Sequence, residues 1–573
     1  MMIDPKSKYD TEYPWRPASH NSKLLIDAFW IHPPTRPIAV DCETDEQDNF
    51  VGLAVCAEAD SVWYFTHLTD SLKQVLASSD IITHGGKFDI AMLQKWGVDV
   101  LIDQVKHDTQ ILAYSLDSSR KRMGLKYMAK EFLGWEWPSY SEMVGVGKQK
   151  KTLNYQPVEK VANYCGMDAL ATFTLHNVLE KKMSCKQRAC YNETEMPIMR
   201  VLFEMEKKGI AIDLPFLEKL SIKFQDQIDY ILHDLVKFAA INWNSWQQVL
   251  PVLKILGINV KSTNKKELLP YQDQRVVYSL LRYREISKLK STYVDGILKR
   301  VKDGRIYTRF IQRPITGRLA SAGPNLQNIP IKTENGKLIR KAFIASPDHS
   351  LVSFDYSQIE LRLLAHLAND TRLIKAFIDG EDIHTSTASQ MFDTPHDKVT
   401  EDQRRSAKTI NFGIVYGQRA EGLAQSLGID INKADDFINK YFNKFPCISS
   451  WISRTKWEAR RDKGITVEDG IFIPLPRIDS TNKYERWANE REAVNYKIQG
   501  LGALIMKKAM IKLREKGIVA NLQIHDDLLF DLPNNDESKE LCKVIVSTME
   551  NVIKLSVPLV VNKKSGINWR DLL

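Results

Sequence analysis

Three short stretches carry acids at spacings that could do chemistry. VDCET holds Asp41 and Glu43 two residues apart, HGGKFD holds Asp89, and YCGMD holds Tyr164 and Asp168 four apart. On a strand a spacing of two puts both side chains on one face, and on a helix a spacing of four does so. Four such acids brought together repel one another and need cations. Two divalent metals ~3.5–4 Å apart would satisfy them and stabilise the attacking and leaving oxygens of a phosphodiester. Any one of these acids alone reads equally well as a surface carboxylate, and Tyr164 as a core tyrosine. The ordered set D-x-E, K-F-D, Y-x3-D is what carries weight.

A second constellation lies further along. SFDYSQIELR contains Asp355, and NLQIHDDLLF contains Asp526 and Asp527, so only folding can unite them. Each acid sits in an apolar run that reads as a buried strand, where a carboxylate is expensive unless it faces a metal or a partner. HDD alone also reads as a tight turn between strands. Between them, RRSAKTINFGIVYG taken as a helix aligns Arg404, Lys408, Phe412 and Tyr416 four apart. Two cations on that face can grip a triphosphate, and two rings can stack on a base or sugar. An amphipathic core helix explains Phe412 and leaves the aligned cations to chance. The segment 283–300 carries Arg284, Lys288, Lys290, Lys299 and Arg300, which suits a helix lying along duplex phosphates. A solvated charged face is the plainer reading of such a run. Ser262 and Thr263 are candidates for further backbone contacts.

These residues must be positioned by more than one domain, because the chain has 573 residues and a single core stops growing near ~250–300. Its 43% hydrophobic and 26% charged content excludes a wholly disordered chain, and its net charge of +9 permits a polyanionic partner. No apolar run approaches the ~20 residues of a membrane span. MMIDPKSKYDTEYPW resembles neither a signal nor a transit peptide, and the seven cysteines form no CxxC pair. A reducing cytoplasm and a monomer off the membrane are expected. Residues 1–36 read as an extended arm and 37–186 as an α/β region. That region has strands in IAVDCET, NFVGLAVCA and SVWYFTH, then a short strand and a helix in IITHGGKFDIAMLQKWG. Residues 190–264 read as mostly helical, Leu281–Arg300 as one basic helix, and LVSFDYSQIELRLLAHL as strand-rich.

The first set of acids resembles the proofreading 3'-5' exonuclease domains of the DEDDy type. The resemblance implies that Asp41, Glu43, Asp89 and Asp168 hold two metals and that Tyr164 orients the attacking water; His84, ahead of Asp89, departs from the pattern. From there the chain resembles a family A DNA polymerase, a group that includes bacterial repair enzymes and phage replicative ones. DYSQIELR is similar to that family's motif A, RRSAKTINFGIVYG to motif B and IHDDLLF to motif C. LKSTY, TGRLASAGPNLQNIP, EDIHTSTA, ANEREAVNYKIQG and VPLVVNKKSGINW match further stretches. The implied fold is an α/β exonuclease domain with an RNase H-like mixed sheet over 37–186, then an α+β right-hand polymerase domain over 187–573. Its thumb would span about 215–310, its palm about 311–375 and 485–573, and its fingers about 376–484. The roughly 300-residue 5'-nuclease domain of bacterial repair relatives would find no room ahead of residue 37.

The resemblance also implies roles. Asp355, Asp526 and the Tyr356 carbonyl would bind two Mg2+ ions, for which Mn2+ could substitute. Asp527 would be a secondary acid, where Glu is usual. Arg404, Lys408 and His384 would contact the triphosphate, with Lys408 protonating the leaving pyrophosphate. Phe412 would face the sugar, Tyr416 and Gln358 would line the nucleotide site, and Glu360 would exclude a ribose 2'-OH. Arg318, Asn325, Gln327, Asn328, Arg491, Asn495, Gln499, His525, Lys288 and Lys290 would touch DNA. Primer-template DNA and deoxynucleoside triphosphates are the implied partners, with a processivity factor, a helicase or a single-strand binding protein as accessories. Replication is the implied setting, by family analogy that of a phage rather than a bacterium. A non-catalytic primer-template binder would lack a metal acid or a triphosphate cation. A single-subunit RNA polymerase shares the palm logic but is disfavoured by Glu360 and the exonuclease motifs. Phe412 offers no hydroxyl to stand in for a missing 3'-OH, so Phe412→Tyr is expected to raise dideoxynucleotide use in primer extension. Unchanged dideoxy discrimination would remove Phe412 from the sugar site.

Overall fold

Alternation of apolar residues in the first third of the chain builds a mixed sheet, in a computed structural model that describes residues 23–27, 37–59, 61–147, 151–468 and 470–573. The strands are β1 (Lys23–Ile26), β2 (Ile38–Thr44), β3 (Phe50–Glu58), β4 (Ser61–Phe65), β5 (Ile81–Thr83) and β6 (Val105–Asp108), in the order β1-β4-β3-β2-β5-β6. β2, β3 and β4 are antiparallel neighbours; β5 and β6 continue in parallel on the far side. The helix Val158–Lys182 packs across β2 and β3 and turns Ala162, Cys165, Ala169 and Thr172 inward, small residues that allow close approach. The sheet begins earlier than residue 37: β1, inside the expected arm, pairs in parallel with β4 from Lys23↔Ser61 to Ile26↔Tyr64. Its LLI triplet supplies the apolar residues that an added edge strand needs. The remainder of the expected arm, 1–22 and 28–36, lies outside the described residues.

One helix belongs to two cores. Met196–Lys208 ends at Gly209, as its spacing predicts, and its Met196, Met199 and Phe203 pack with the exonuclease-like sheet. Ile198, Val201, Leu202 and Met205, on the other side, pack with the second core. Beneath this junction Lys507 Nζ donates to Glu195 Oε1 at 2.6 Å, both side chains being almost wholly buried, and Gln312 Nε2 donates to the Glu195 carbonyl at 2.9 Å.

The remaining chain forms an antiparallel sheet flanked by two helical bodies. Its strands are ordered Leu522–Ile524, Asp527–Pro533, His349–Tyr356 and Val561–Gly566. On one side the helix Leu214–Leu235 packs against Arg275–Lys288, where the thumb is expected. On another, helices from Ile383–Met391 through Pro446–Asp462 stand where the fingers are expected. Two elements differ from expectation. The basic helix is not uniformly α-helical over 281–300: it runs Arg275–Lys288, widens to a π turn over Leu289–Val294 and resumes as Asp295–Leu298. The wide turn lets Tyr293 and Val294, adjacent in sequence, both enter the core. The stretch from Leu351 is strand only to Tyr356. Gln358, with φ of +49°, reverses the chain, and Ile359–Ala368 continues as helix because its apolar spacing changes from two to three or four.

Removing Lys507 takes the ammonium from a fully buried carboxylate. Lys507→Ala is expected to cost ~3–5 kcal/mol in urea unfolding, and a Lys507→Met, Glu195→Leu pair much less.

Candidate functional site

The first site lies on the mixed sheet. β2 directs Asp41 and Glu43 to one face, and Val158–Lys182 sets Tyr164 and Asp168 across from them. Asp89 enters from the helix Lys87–Lys95. The turn before it is tight: Gly85 has φ of +85°, and a Cβ on Gly86 would meet Thr83 Oγ1 at 2.2 Å. Asp108 holds that turn, accepting from the Gly85 and Gly86 amides at 2.7 and 2.8 Å and from the Thr83 hydroxyl at 2.9 Å. Nothing in the spacing of the sequence singled out this structural acid.

The charges of the four predicted acids overlap. Burial, followed by repulsion from Asp168, Glu43 and Asp89, holds the Asp41 carboxyl well above the usual range. Burial and Asp168 push Glu43 up to about 8, and burial pushes Asp89 up to about 7. Asp89 Oδ1 accepts from the Cys42 amide at 3.2 Å. Asp168 accepts from Trp137 Nε1 at 2.7 Å and from Lys126 Nζ at 2.9 Å, two donors that the motif does not contain. Cys165 Sγ donates to Asp41 Oδ2 at 3.3 Å, and burial pushes its thiol up, so it is a donor here and not a ligand. Oxygen donors this crowded, with one ammonium among them, fit hard divalent cations. His84 is held at both ring nitrogens, by Thr109 Oγ1 and the Met123 carbonyl at 2.8 Å each, so its departure from the pattern braces two loops.

The second site gathers at one end of the antiparallel sheet. His349–Tyr356 pairs with Asp527–Pro533 so that Asp355 stands opposite Asp527. The Tyr356 amide donates to the Asp526 carbonyl at 3.1 Å, so the two distant motifs are neighbours. The tight-turn reading of HDD also holds: Ile524 pairs with Asp527, and His525 and Asp526 are the two-residue turn, with φ of +54° at His525. Asp355 lies in its strand as expected, paired on both sides between buried Phe354 and Tyr356, whereas Asp526 lies on the turn. The Asp355 side chain is exposed, one residue from its strand's end, and Asp526 is half-buried on the turn. Partial burial, then Asp527 and Asp526, push the Asp355 carboxyl up to about 7. Burial also raises Asp526, while Arg318 pulls it down. Asp527 Oδ1 accepts from Ser353 Oγ at 2.7 Å. The Tyr356 hydroxyl is anchored on the Met549 carbonyl at 2.8 Å.

The cation-aromatic face is a helix, Glu401–Val415, opened by a capping box between Thr400 and Gln403. Arg404 Nε donates to Asp382 Oδ2 at 2.8 Å, and His384 Nδ1 meets Asn411 Nδ2 at 2.9 Å. Burial pushes His384 down to about 4, so its ring is neutral. Tyr416, just past the helix, donates to Glu360 Oε2 at 2.6 Å, and Arg318 Nη2 reaches Glu360 Oε1 at 2.9 Å. A groove of about 1020 Å³ is lined by Lys408, Phe412, Tyr416, Arg419, Trp487 and Arg491. Arg419 lies 3.5 Å over the Trp487 ring; neither was singled out in sequence, where aromatics in a long charged helix look ordinary. Arg491, Asn495 and Gln499 are four apart on the helix Lys483–Glu515 and share one face.

Some predicted DNA contacts are otherwise engaged. Gln327 is buried and its amide donates to Gln523 Oε1 at 2.7 Å. Lys290 pairs with Asp295 at 2.8 Å, and Arg284 donates to the Thr263 carbonyl at 2.6 Å. Asn325 Oδ1 accepts from Ser321. Lys288 and Asn328 remain exposed. The Gln358 Oε1 and Asn495 Oδ1 atoms are buried without a hydrogen-bond partner among the described residues.

A carboxyl raised to about 7 must lose its proton before it ligates a metal. Mn2+ binding at Asp355 is therefore expected to weaken ~tenfold per pH unit as the pH falls below about 7, measured by titration in a variant lacking the Asp41 cluster.

Comparison with known proteins covers both sites. Residues 215–571 match the family model described as DNA polymerase family A, and residues 20–184 match a 3'-5' exonuclease model. DNA polymerase I of Pseudomonas aeruginosa is 35% identical over 509 residues, 85% of this chain and 56% of that protein. The Borreliella burgdorferi DNA polymerase I is 34% identical over 576 residues, 93% of this chain and 62% of that protein. The thermostable DNA polymerase I of Thermus thermophilus is 39% identical over 423 residues, 70% of this chain and 51% of that protein. The chain thus spans between half and two thirds of these relatives' lengths. Among solved structures, the POL domain of Pol1 from M. smegmatis, in complex with DNA primer-template and dNTP, superposes with a TM-score of 0.81 at 31% identity. That match covers 94% of this chain and 96% of that one.

Proposed function

The chain belongs to DNA polymerase family A, with a 3'-5' exonuclease domain ahead of the polymerase domain, and on that premise we propose that it copies a DNA template and proofreads the product. The observation that carries this reading is the meeting of Asp355 and Asp526, linked through Arg318, Glu360 and Tyr416 to the groove that Lys408 and Phe412 line. Asp355, Asp526 and the Tyr356 carbonyl would hold two divalent cations, Mg2+ with Mn2+ as a substitute. When bound, such ions lower the pKa of a primer 3'-OH and neutralise the leaving pyrophosphate.

The side chains of the site do the rest. Lys408 lies exposed one turn from Phe412, positioned to grip a triphosphate and to protonate the departing pyrophosphate. Arg404 is aimed by Asp382, and neutral His384 is aimed by Asn411. Glu360 is pinned between Arg318 and Tyr416, which gives it the fixed position a steric gate against ribose needs. Arg491, Asn495 and Gln499 present donors along one helix face to the primer-template, where minor-groove acceptors look alike in every base pair. The M. smegmatis relative was solved with primer-template and dNTP, and we extend those ligands to this chain. Among the described residues no helix is long and apolar enough to cross a membrane. The setting we propose is DNA replication in a bacterial or phage-infected cytoplasm, as a monomer helped by a processivity factor, helicase or single-strand binding protein.

The two sites are separate, so their losses should separate. Asp355→Ala or Asp526→Ala is expected to lower primer extension at least ~1000-fold while degradation of a single-stranded 3' end persists. Asp41→Ala is expected to do the reverse. Loss of both activities from either polymerase-site change would reject the two-site assignment. Glu360→Ala is expected to admit ribonucleotides on the same template. Unchanged sugar selection would reject the gate and reopen the RNA polymerase reading.

A further inference from the structure

Lys126 stands among the exonuclease acids, and no motif accounts for it. Its Nζ lies 2.9 and 3.1 Å from the two oxygens of Asp168, 4.0 Å over the Tyr164 ring and 4.9 Å from the Trp137 ring. Among the described residues it is the only basic side chain ion-paired to Asp41, Glu43, Asp89 or Asp168. It also sits in the first turn of the helix Leu125–Leu133, where an ammonium opposes the helix dipole. The helix gains nothing from a cation at that position; the acids do.

We infer that Lys126 is a positioning residue of the exonuclease centre: a tethered cation that holds Asp168 and Tyr164 in register and competes with divalent metal for Asp168. In the metal-free protein it offsets part of the repulsion among four carboxylates. As metal enters, the ammonium must yield Asp168 while keeping its place over Tyr164, the side chain proposed to orient the attacking water. Lys126 therefore raises the metal concentration that excision needs and sharpens the geometry once the metal is bound. This rests on the proofreading reading above and adds a residue to it.

The test uses the full chain carrying Asp355→Ala and Asp526→Ala, so that bound Mn2+ reports on the exonuclease centre. Lys126→Met keeps the apolar stem against Trp137 and Tyr164 and removes the charge. It is expected to bind Mn2+ on the order of tenfold more tightly in a paramagnetic-resonance titration. It is also expected to lower the excision kcat on the order of tenfold at saturating metal. Lys126→Arg, whose fork grips a carboxylate at two points, is expected to weaken Mn2+ binding and restore most of kcat. Unchanged or weaker Mn2+ binding in Lys126→Met would overturn the proposal. If that variant does not fold, Mn2+ binding in Lys126→Arg as tight as in the parent, or tighter, would overturn it instead. Absence of excision in the parent would defeat the proofreading reading, while the Mn2+ titration would still judge the competition.

Discussion

Like charges held close together and away from water are the constraint on which this molecule is built. Two carboxylates a few ångströms apart cost little in bulk water and a great deal in a protein, where the effective dielectric is lower. Four acids meet on the mixed sheet and three at the end of the antiparallel sheet, and burial with mutual repulsion raises the carboxyls in both places. Each site answers the cost differently. The acids of the mixed sheet are enclosed and are met by Lys126, Trp137 and the Cys42 amide. The acids of the antiparallel sheet lie near a strand end and on a hairpin turn, where Asp355 is exposed and Asp526 half-buried. A protein that had only to be stable would not retain either arrangement, since apolar replacements would remove the repulsion.

The frame that holds the sites is joined across both domains. The helix Met196–Lys208 serves two cores at once, so the exonuclease sheet and the polymerase body share packing. Glu195, Lys507 and Gln312 form a buried polar knot beneath it, and Arg514 ties Asp103 of the first domain to Glu204 of the shared helix. Within the polymerase domain, the chain Arg318–Glu360–Tyr416 fastens the end of the cation-aromatic helix to the helix Ile359–Ala368. These contacts join residues up to 411 positions apart, so the relative placement of the two centres is a property of the whole fold.

Local chemistry was legible wherever periodicity carried it. The helix of Arg404, Lys408 and Phe412 formed as its spacing of four predicts, with Tyr416 just past its end, and the first three strands expected in the α/β region fell where their apolar runs lie. Periodicity could not reveal the residues whose role depends on what folds against them. Lys126 and Asp108 look like any lysine and any N-cap aspartate until Asp168 and the Gly85–Gly86 turn arrive beside them. Lys290 and Gln327 looked like free donors, yet Asp295 and Gln523 occupy them. A short strand such as β1 carries too few residues to show a period and exists only because β4 offers an edge.

The sequence by itself determined which chemistry is present, because residue type and local spacing are properties of the unfolded chain as much as of the folded one. It placed the acids, cations and rings on their faces and named the family that shares them. Only the tertiary structure decided which of those groups meet. The register of one antiparallel ladder sets Asp355 against Asp527, and the packing of one long helix on β2 and β3 sets Asp168 against Asp41. A ladder slipped by a single residue would turn each side chain to the opposite face, and no local pattern records that choice.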